Sequence, residues 1–343
     1  MVNEHYVQES YLRLFAPGEE GLVSRYSLVE QHGGGDYYDP IERYPVKKAA
    51  SSENYAEGLL ESDATNRAEK AMVNSLRKLD SGEELSDEDI ANISQFVSFQ
   101  RDRSPAAKIH HRMRGELWKA AGKDVDDFWE SVMYIDGNDR YIGFQHMGWM
   151  IVENATDLPF FTSDMPVVVY REEFPEDREM DGFDFDGKEV YCPLSPDKLL
   201  VLLDPNTFQV GPQYPHTEIE SCELSDRQEV WKLNMFQGIN AFQEVFGPVE
   251  AGEYLETLIE GLCQCYPDED YIRGNRWSTE RIYEAQKSGI READERPNQA
   301  TIPEGDWEIM LSHKKTTDAK WMFSHSLEFI DGLRREEPIS DYW

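Results

Sequence analysis

No stretch of this sequence approaches the roughly 18 consecutive apolar residues needed to cross a bilayer, so no membrane partner is expected. The first residues, MVNEHYVQESYLRLF, lack both a basic start and an uninterrupted apolar run. No secretory signal is therefore expected, and the cytoplasm is the expected location. Cysteine is scarce. Cys192, Cys222, Cys263 and Cys265 are too few and too irregularly spaced for a disulfide framework. Cys263-Gln-Cys265 is not the C-x-x-C of a zinc knuckle, and no second pair complements it. All four are read as plain thiols. Also missing are a P-loop, an EF-hand loop, H-E-x-x-H and the dinucleotide-binding G-x-G-x-x-G. The run Gly33-Gly34-Gly35 has neither that spacing nor a following helix, and reads as a loop tip.

Lysine is the other shortage: 14 Lys stand beside 20 Arg, against 68 Asp plus Glu, for a net charge of −34. A surface so acidic repels phosphate backbones, which disfavours passive binding of DNA or RNA. Such a balance suits a chain adapted to molar salt. The Debye length there falls to about 3 Å, so self-repulsion costs little while carboxylates keep the surface hydrated. A halophilic archaeal source is the expectation, and on that reading the charge describes the solvent more than any partner.

What is present is enough for a packed core. Hydrophobic residues make up 39% of the 343 residues and aromatics 12%, which excludes global disorder. An extended start leads into a turn of helix with Tyr11, Leu12 and Phe15 on one side, and Leu22–Leu28 has a β-like texture. From about 61 to 122 the period is helical. Ala68, Met72, Leu76 and Leu79 mark a first helix, Ser81-Gly82 breaks it, and Ser86 with Asp89 forms a capping-box signature for a second. Ser104-Pro105 ends that helix and begins a third, running through Met113 and Trp118.

After residue 140 come short apolar runs at 149–152, 160–162, 167–170, 190–192 and 199–203, expected to form one mixed or antiparallel sheet. The acidic segment 171–188 reads as an exposed loop. Residues 226–246 return to helix, with Trp231, Asn234, Met235, Ile239, Phe242 and Phe246. Helices, then strands, then helices define an α+β fold: an N-terminal helical layer packed on the sheet, followed by C-terminal helices. The expected division is a domain over 1–250 and an extension over 251–343.

Several segments in order carry a family resemblance: His5-Tyr6-Val7 with Tyr11-Leu12 and Phe15, spaced glutamates including Glu69, Gln100 to Pro105 as Q-x-x-R-S-P, Thr162 to Pro166 as T-S-D-x-P, and Pro193-Leu194-Ser195-Pro196. Together they resemble the domain of unknown function 4238 family over about residues 3 to 246. The chain departs from that pattern at Gln8 and Glu9, where the family usually has Pro and Gln. The resemblance supplies a set of residues and no mechanism.

The residues themselves allow several chemistries. His5 suits a general base or metal ligand, or a hydrogen bond tying the N-terminus down. Gln100 and Arg103, three apart on a helix, could fork onto a carboxylate or phosphate, or Arg103 could pair with an internal acid such as Glu69. Thr162, Ser163 and Asp164 could present hydroxyls and a carboxylate to a cleft, or bond their own turn. Ser163 lacks the G-x-S-x-G elbow, so serine nucleophile chemistry is not expected. His110 and His111 point to different helix faces, and His146, His216, His313 and His325 stand alone as structural residues.

Three functional readings stay open. In the first, His5, Glu69 and Asp164 are catalytic, and Asp164 with Glu69 or His5 could hold a divalent metal. Gln100, Arg103, Thr162 and Ser163 bind a nucleotide or nucleic-acid phosphoester for hydrolysis. In the second, the same cluster binds a small anionic ligand or a partner protein without chemistry. In the third, it is an ion-pair network of the core.

Overall fold

The alternation of the central strands decides the architecture. In the computed structural model, which describes residues 3–16, 18, 20–27, 40–53, 63–104, 142–171, 187–210, 219–241, 244–265 and 327–335, Lys198–Leu203 (β9) is apolar on both faces. Leu200 and Leu202 enter one core, and Leu199, Val201 and Leu203 enter the other. Its neighbours Gly148–Asn154 (β5) and Lys188–Ser195 (β8) alternate in the same way, with Trp149, Ile151 and Cys192 on the first side and Met150, Val152 and Tyr191 on the second. A sheet covered on both faces needs such continuous apolar runs. With Val168–Arg171 (β7) and Glu220–Leu224 (β10) it forms a five-stranded sheet of order β10-β5-β9-β8-β7. Only the β10–β5 pairing is parallel, so the sheet is mixed.

The expectation of one sheet needs correction. The 160–162 run does not join the five strands. Thr162–Ser163 (β6) pairs with Glu244–Gly247 (β11) in a second, antiparallel sheet of order β3-β2-β11-β6, completed by Leu22–Ser27 (β2) and Pro40–Pro45 (β3). The helix expected over 226–246 ends at Asn240, and Phe246 lies on β11. Its spacing from Ile239 mimics a helical stripe. Strand pairing wins because Val245 and Phe246 register against both β2 and β6, and the Glu244 carboxylate holds Arg25 and the Ala50 amide. A third, small ladder joins Asn3–His5 (β1) to Ser51–Glu53 (β4).

The helical layer covers the first core. Glu9–Leu12 (α1) runs into a 3-10 turn ending at Phe15, and Asp63–Ser81 (α2) and Asp87–Asp102 (α3) pack together beside it. Tyr11, Leu12 and Phe15 are all fully buried, as the spacing predicts, whereas Ala68 is exposed and Val73 takes the buried position beside Met72. The third expected helix, beyond Pro105, lies outside the described residues, as do the glycine run and His110-His111. Arg227–Asn240 (α4) and Gly252–Cys265 (α5) cover the opposite face, where Leu233, Leu255 and Leu258 are buried. No described helix is long and apolar enough to cross a membrane.

The last described segment, 327–335, docks on this second face. Leu327 and Ile330 are buried there, the first within a short lead into Glu328–Asp331 (α6). Gln209 N donates to Leu333 O at 2.6 Å and Arg335 N to Thr207 O at 2.9 Å. Arg334 approaches the buried Glu189 carboxylate at 3.6 Å and lies over the Phe208 ring.

The start of α3 is the best-defined local signal. Ser86 Oγ accepts from Asp89 N at 3.2 Å and Asp89 Oδ2 accepts from Ser86 N at 3.0 Å, a complete capping box. Asp89 also takes hydrogen bonds from Ser75 at 2.8 Å and Lys78 at 2.9 Å on α2, so the box locks two helices together. Burial pushes the Asp89 carboxyl upward, but the Lys78 ammonium and the Ser86 and Ser75 donors outweigh it and hold it well below the usual carboxylate range. Replacing Asp89 by Ala should cost about 1–2 kcal/mol of stability in urea denaturation. Because the native value is depressed, that contribution is complete above about pH 4 and drains away as pH falls toward the native value. The variant's acid limb should therefore be flatter than the parent's, and parallel acid limbs would refute the assignment.

Candidate cleft between the N-terminal segment and the helical layer

One arginine builds the wall of this site. Arg103 caps the C-terminus of α3 and its side chain is 1% exposed. Its guanidinium donates to the Glu69 carboxylate of α2 and to the main-chain oxygen of His5 in β1, and it lies over the Phe99 ring with Cζ 5.0 Å from the centroid. The planar fork suits this task, since it reaches two acceptors in different directions at once. One turn earlier, Gln100 Nε2 donates to Tyr6 O at 2.7 Å, and Gln8 N approaches Gln100 Oε1 at 3.5 Å. The pair thus straps the main chain of residues 5–8 to the end of α3.

That strap leaves a cleft of ≈ 320 Å³ between α1, α2, β1 and the end of α3. α2 supplies Asn66, Glu69, Lys70, Val73, Asn74 and Arg77, which recur at the i, i+3, i+4 spacing of one helix face. Glu9, Ser10 and Arg13 face them from α1 and the following turn, and His5 and Arg103 close the end. Arg13 is paired with Glu9 at 2.5 Å. Gly21, at φ +59°, leaves room for that guanidinium, because a Cβ there would stand 2.8 Å from Arg13 Nη1. His5 Nε2 lies 3.2 Å from Lys47 O. The cleft is therefore lined by four cationic side chains and two carboxylates, in a chain where acids outnumber bases two to one.

Of the residues proposed from sequence, His5, Glu69 and Arg103 line the cleft, and Gln100 lies buried behind it. Thr162, Ser163 and Asp164 do not line it. Thr162 Oγ1 is 2.9 Å from the Tyr11 hydroxyl, which also donates to Pro193 O at 2.6 Å. Burial raises the Tyr11 hydroxyl well above its ordinary value and pushes the neighbouring Cys192 thiol up to about 12, so both stay protonated. Ser163 Oγ donates to Gln237 Oε1 at 3.0 Å and accepts from Met165 N at 3.2 Å, closing its own turn. Asp164 is fully buried, with its amide on Glu244 O at 2.9 Å. α4 holds this segment through Asn234, Gln237 and Asn240, whose amides donate to the oxygens of Pro159, Pro166 and Met165.

Sequence reading missed Lys70, Asn74 and Arg77. The signal was available: they repeat at helical spacing beside the buried stripe, and lysine is rare in this chain. Among the described residues, no three His, Cys, Asp or Glu side chains gather closely enough to hold a metal ion.

Arg103→Ala should destabilise the fold by about 3–5 kcal/mol, because it leaves Glu69 without its buried counter-charge. Arg103→Lys should recover only part of that loss, since a point charge cannot serve both acceptors. Equal urea midpoints for the parent and the alanine variant would contradict the strap.

No curated protein and no solved structure matches the chain. The family described as Protein of unknown function (DUF4238) does match it, over residues 3–248. That span holds α1 to α4, both larger sheets and every residue lining the cleft. With its strap, its T-S-D-x-P turn and more than half its length inside the match, the chain belongs to the DUF4238 family.

Proposed function

We propose that the protein is a binding module for a small anionic ligand available in the cytosol, held in the cleft between α1, α2 and the end of α3. One observation carries the reading. Lys70 and Arg77 are exposed on the cleft face of α2 and make no ion pair among the described residues, in a chain with 68 acidic residues. Cations in so acidic a chain have many carboxylates to choose from. Two that stay unpaired on a concave surface suit an anion that arrives from outside. Binding is assigned to residues 1–250 and 251–343 is read as an extension, of which the described parts, 251–265 and 327–335, help complete the second core.

Hydrolysis of a nucleotide or nucleic-acid phosphoester with a divalent metal is the enzymatic form of the same idea. Binding is favoured over turnover because the groups that would act as bases are already engaged: Glu9 by Arg13, Glu69 by Arg103, and His5 by Lys47 O. A positioned base must be able to reach the proton it abstracts.

The test is a thermal-shift titration with inorganic phosphate, pyrophosphate and a nucleotide on the parent and on Lys70→Ala and Arg77→Ala. Both substitutions are on the surface, so the unliganded stability should stay within about 0.5 kcal/mol of the parent. At least one anion should stabilise the parent in a saturable way, with affinity falling about tenfold in each variant, a difference of about 1.4 kcal/mol. If no anion shifts the parent, or the variants bind as tightly, the cleft is not the site. Phosphate release in the presence of Mn²⁺ that Glu69→Gln abolishes would instead establish the hydrolase.

A further inference from the structure

We infer that the ligand of this cleft carries two anionic groups joined by a short neutral spacer. This rests on the anion-binding reading and specifies its chemistry. Four cations line the cleft, but two are already neutralised: Arg13 by Glu9 and Arg103 by Glu69. The remaining two, Lys70 and Arg77, are seven residues apart on α2. At 1.5 Å of rise per residue, their Cα atoms are separated by about 10 Å along the helix axis, close to two turns.

The residues between them on the same face are not charged. Val73 is buried at 2% exposure and presents an apolar floor, and Asn74 offers one amide beside it. A compact anion placed over this floor would lie opposite Val73, midway between the two charges. A molecule with a charge at each end meets both of them and sets its neutral middle on Val73 and Asn74. The two ends differ. Arg77 presents a planar fork that matches a carboxylate or phosphate in bidentate fashion, whereas Lys70 is a point charge that accepts either. The ligand class is therefore a linear bis-anion, a dicarboxylate or a bisphosphate.

The full chain would be titrated calorimetrically with α,ω-dicarboxylates of increasing length, with an α,ω-bisphosphate, and with acetate and inorganic phosphate as single-anion probes. Affinity should pass through a maximum at an intermediate length and fall about tenfold on either side, and the better of the two terminal groups identifies the source. At the optimum, Lys70→Ala and Arg77→Ala should each reduce affinity to that of a single-anion probe, and Arg77→Lys should restore part of it. Affinity that is independent of length, or inorganic phosphate binding as tightly as any bis-anion, would overturn the two-ended ligand while leaving anion binding intact. If neither single nor double anions bind, both readings fall together.

Discussion

The fold around the cleft depends on a buried cation. Arg103 brings a guanidinium to a position 1% exposed, and a buried charge is tolerable only where acceptors meet it. It finds one on α2, in the Glu69 carboxylate, and one on β1, in the His5 carbonyl. Three pieces of chain separated by up to 98 residues are therefore fixed relative to one another by one side chain. Gln100 repeats the arrangement with an uncharged group one turn away. Arg103 and Gln100 thus place the main chain of the N-terminal segment. Lys70, Asn74 and Arg77, which also line the cleft, are on α2.

The second link in this arrangement is Tyr11. Its hydroxyl bridges Thr162 in the smaller sheet and Pro193 in the larger one, at a position with no solvent access. α1 is only four residues long and could not hold its place by helix propensity. Burial of Tyr11, Leu12 and Phe15 and the two hydrogen bonds of Tyr11 do so instead. Glu9, Ser10 and Arg13 inherit their aim into the cleft from that anchoring. The T-S-D-x-P segment is in this way joined to the cleft without lining it.

Much of this was legible from the residues. The capping box at Ser86 and Asp89 marks the start of α3, and the apolar runs at 149–152 and 199–203 fall on β5 and β9, because local chemistry alone decides those elements. The motifs of the N-terminus and the end of α3 also belong together in space. Other features were hidden. β3, β4 and β11 are three to six residues long and owe their existence to partners far away in the chain, as Glu244 does to Arg25 and Ala50. Phe246 keeps a helical interval from Ile239 and still lies on a strand, since periodicity over so short a span cannot tell the two apart. The cationic face of α2 was obscured for another reason. Single charged residues on a helix normally signal only solvent, and their meaning here emerges when the opposite wall is known.

The segment 327–335 carries a different implication. Leu327 and Ile330 complete a core whose other members begin at Tyr26, so the first and last contributors are about 300 residues apart in order of synthesis. A growing chain at the ribosome can assemble the Arg103 strap early, and α4 and α5 can cover most of the opposite face once they have emerged. The part of that face that Leu327 and Ile330 cover must wait, with apolar side chains bare, until the segment 327–335 follows. The high density of negative charge is suited to that interval, because it keeps nascent molecules apart while their apolar surface is still bare.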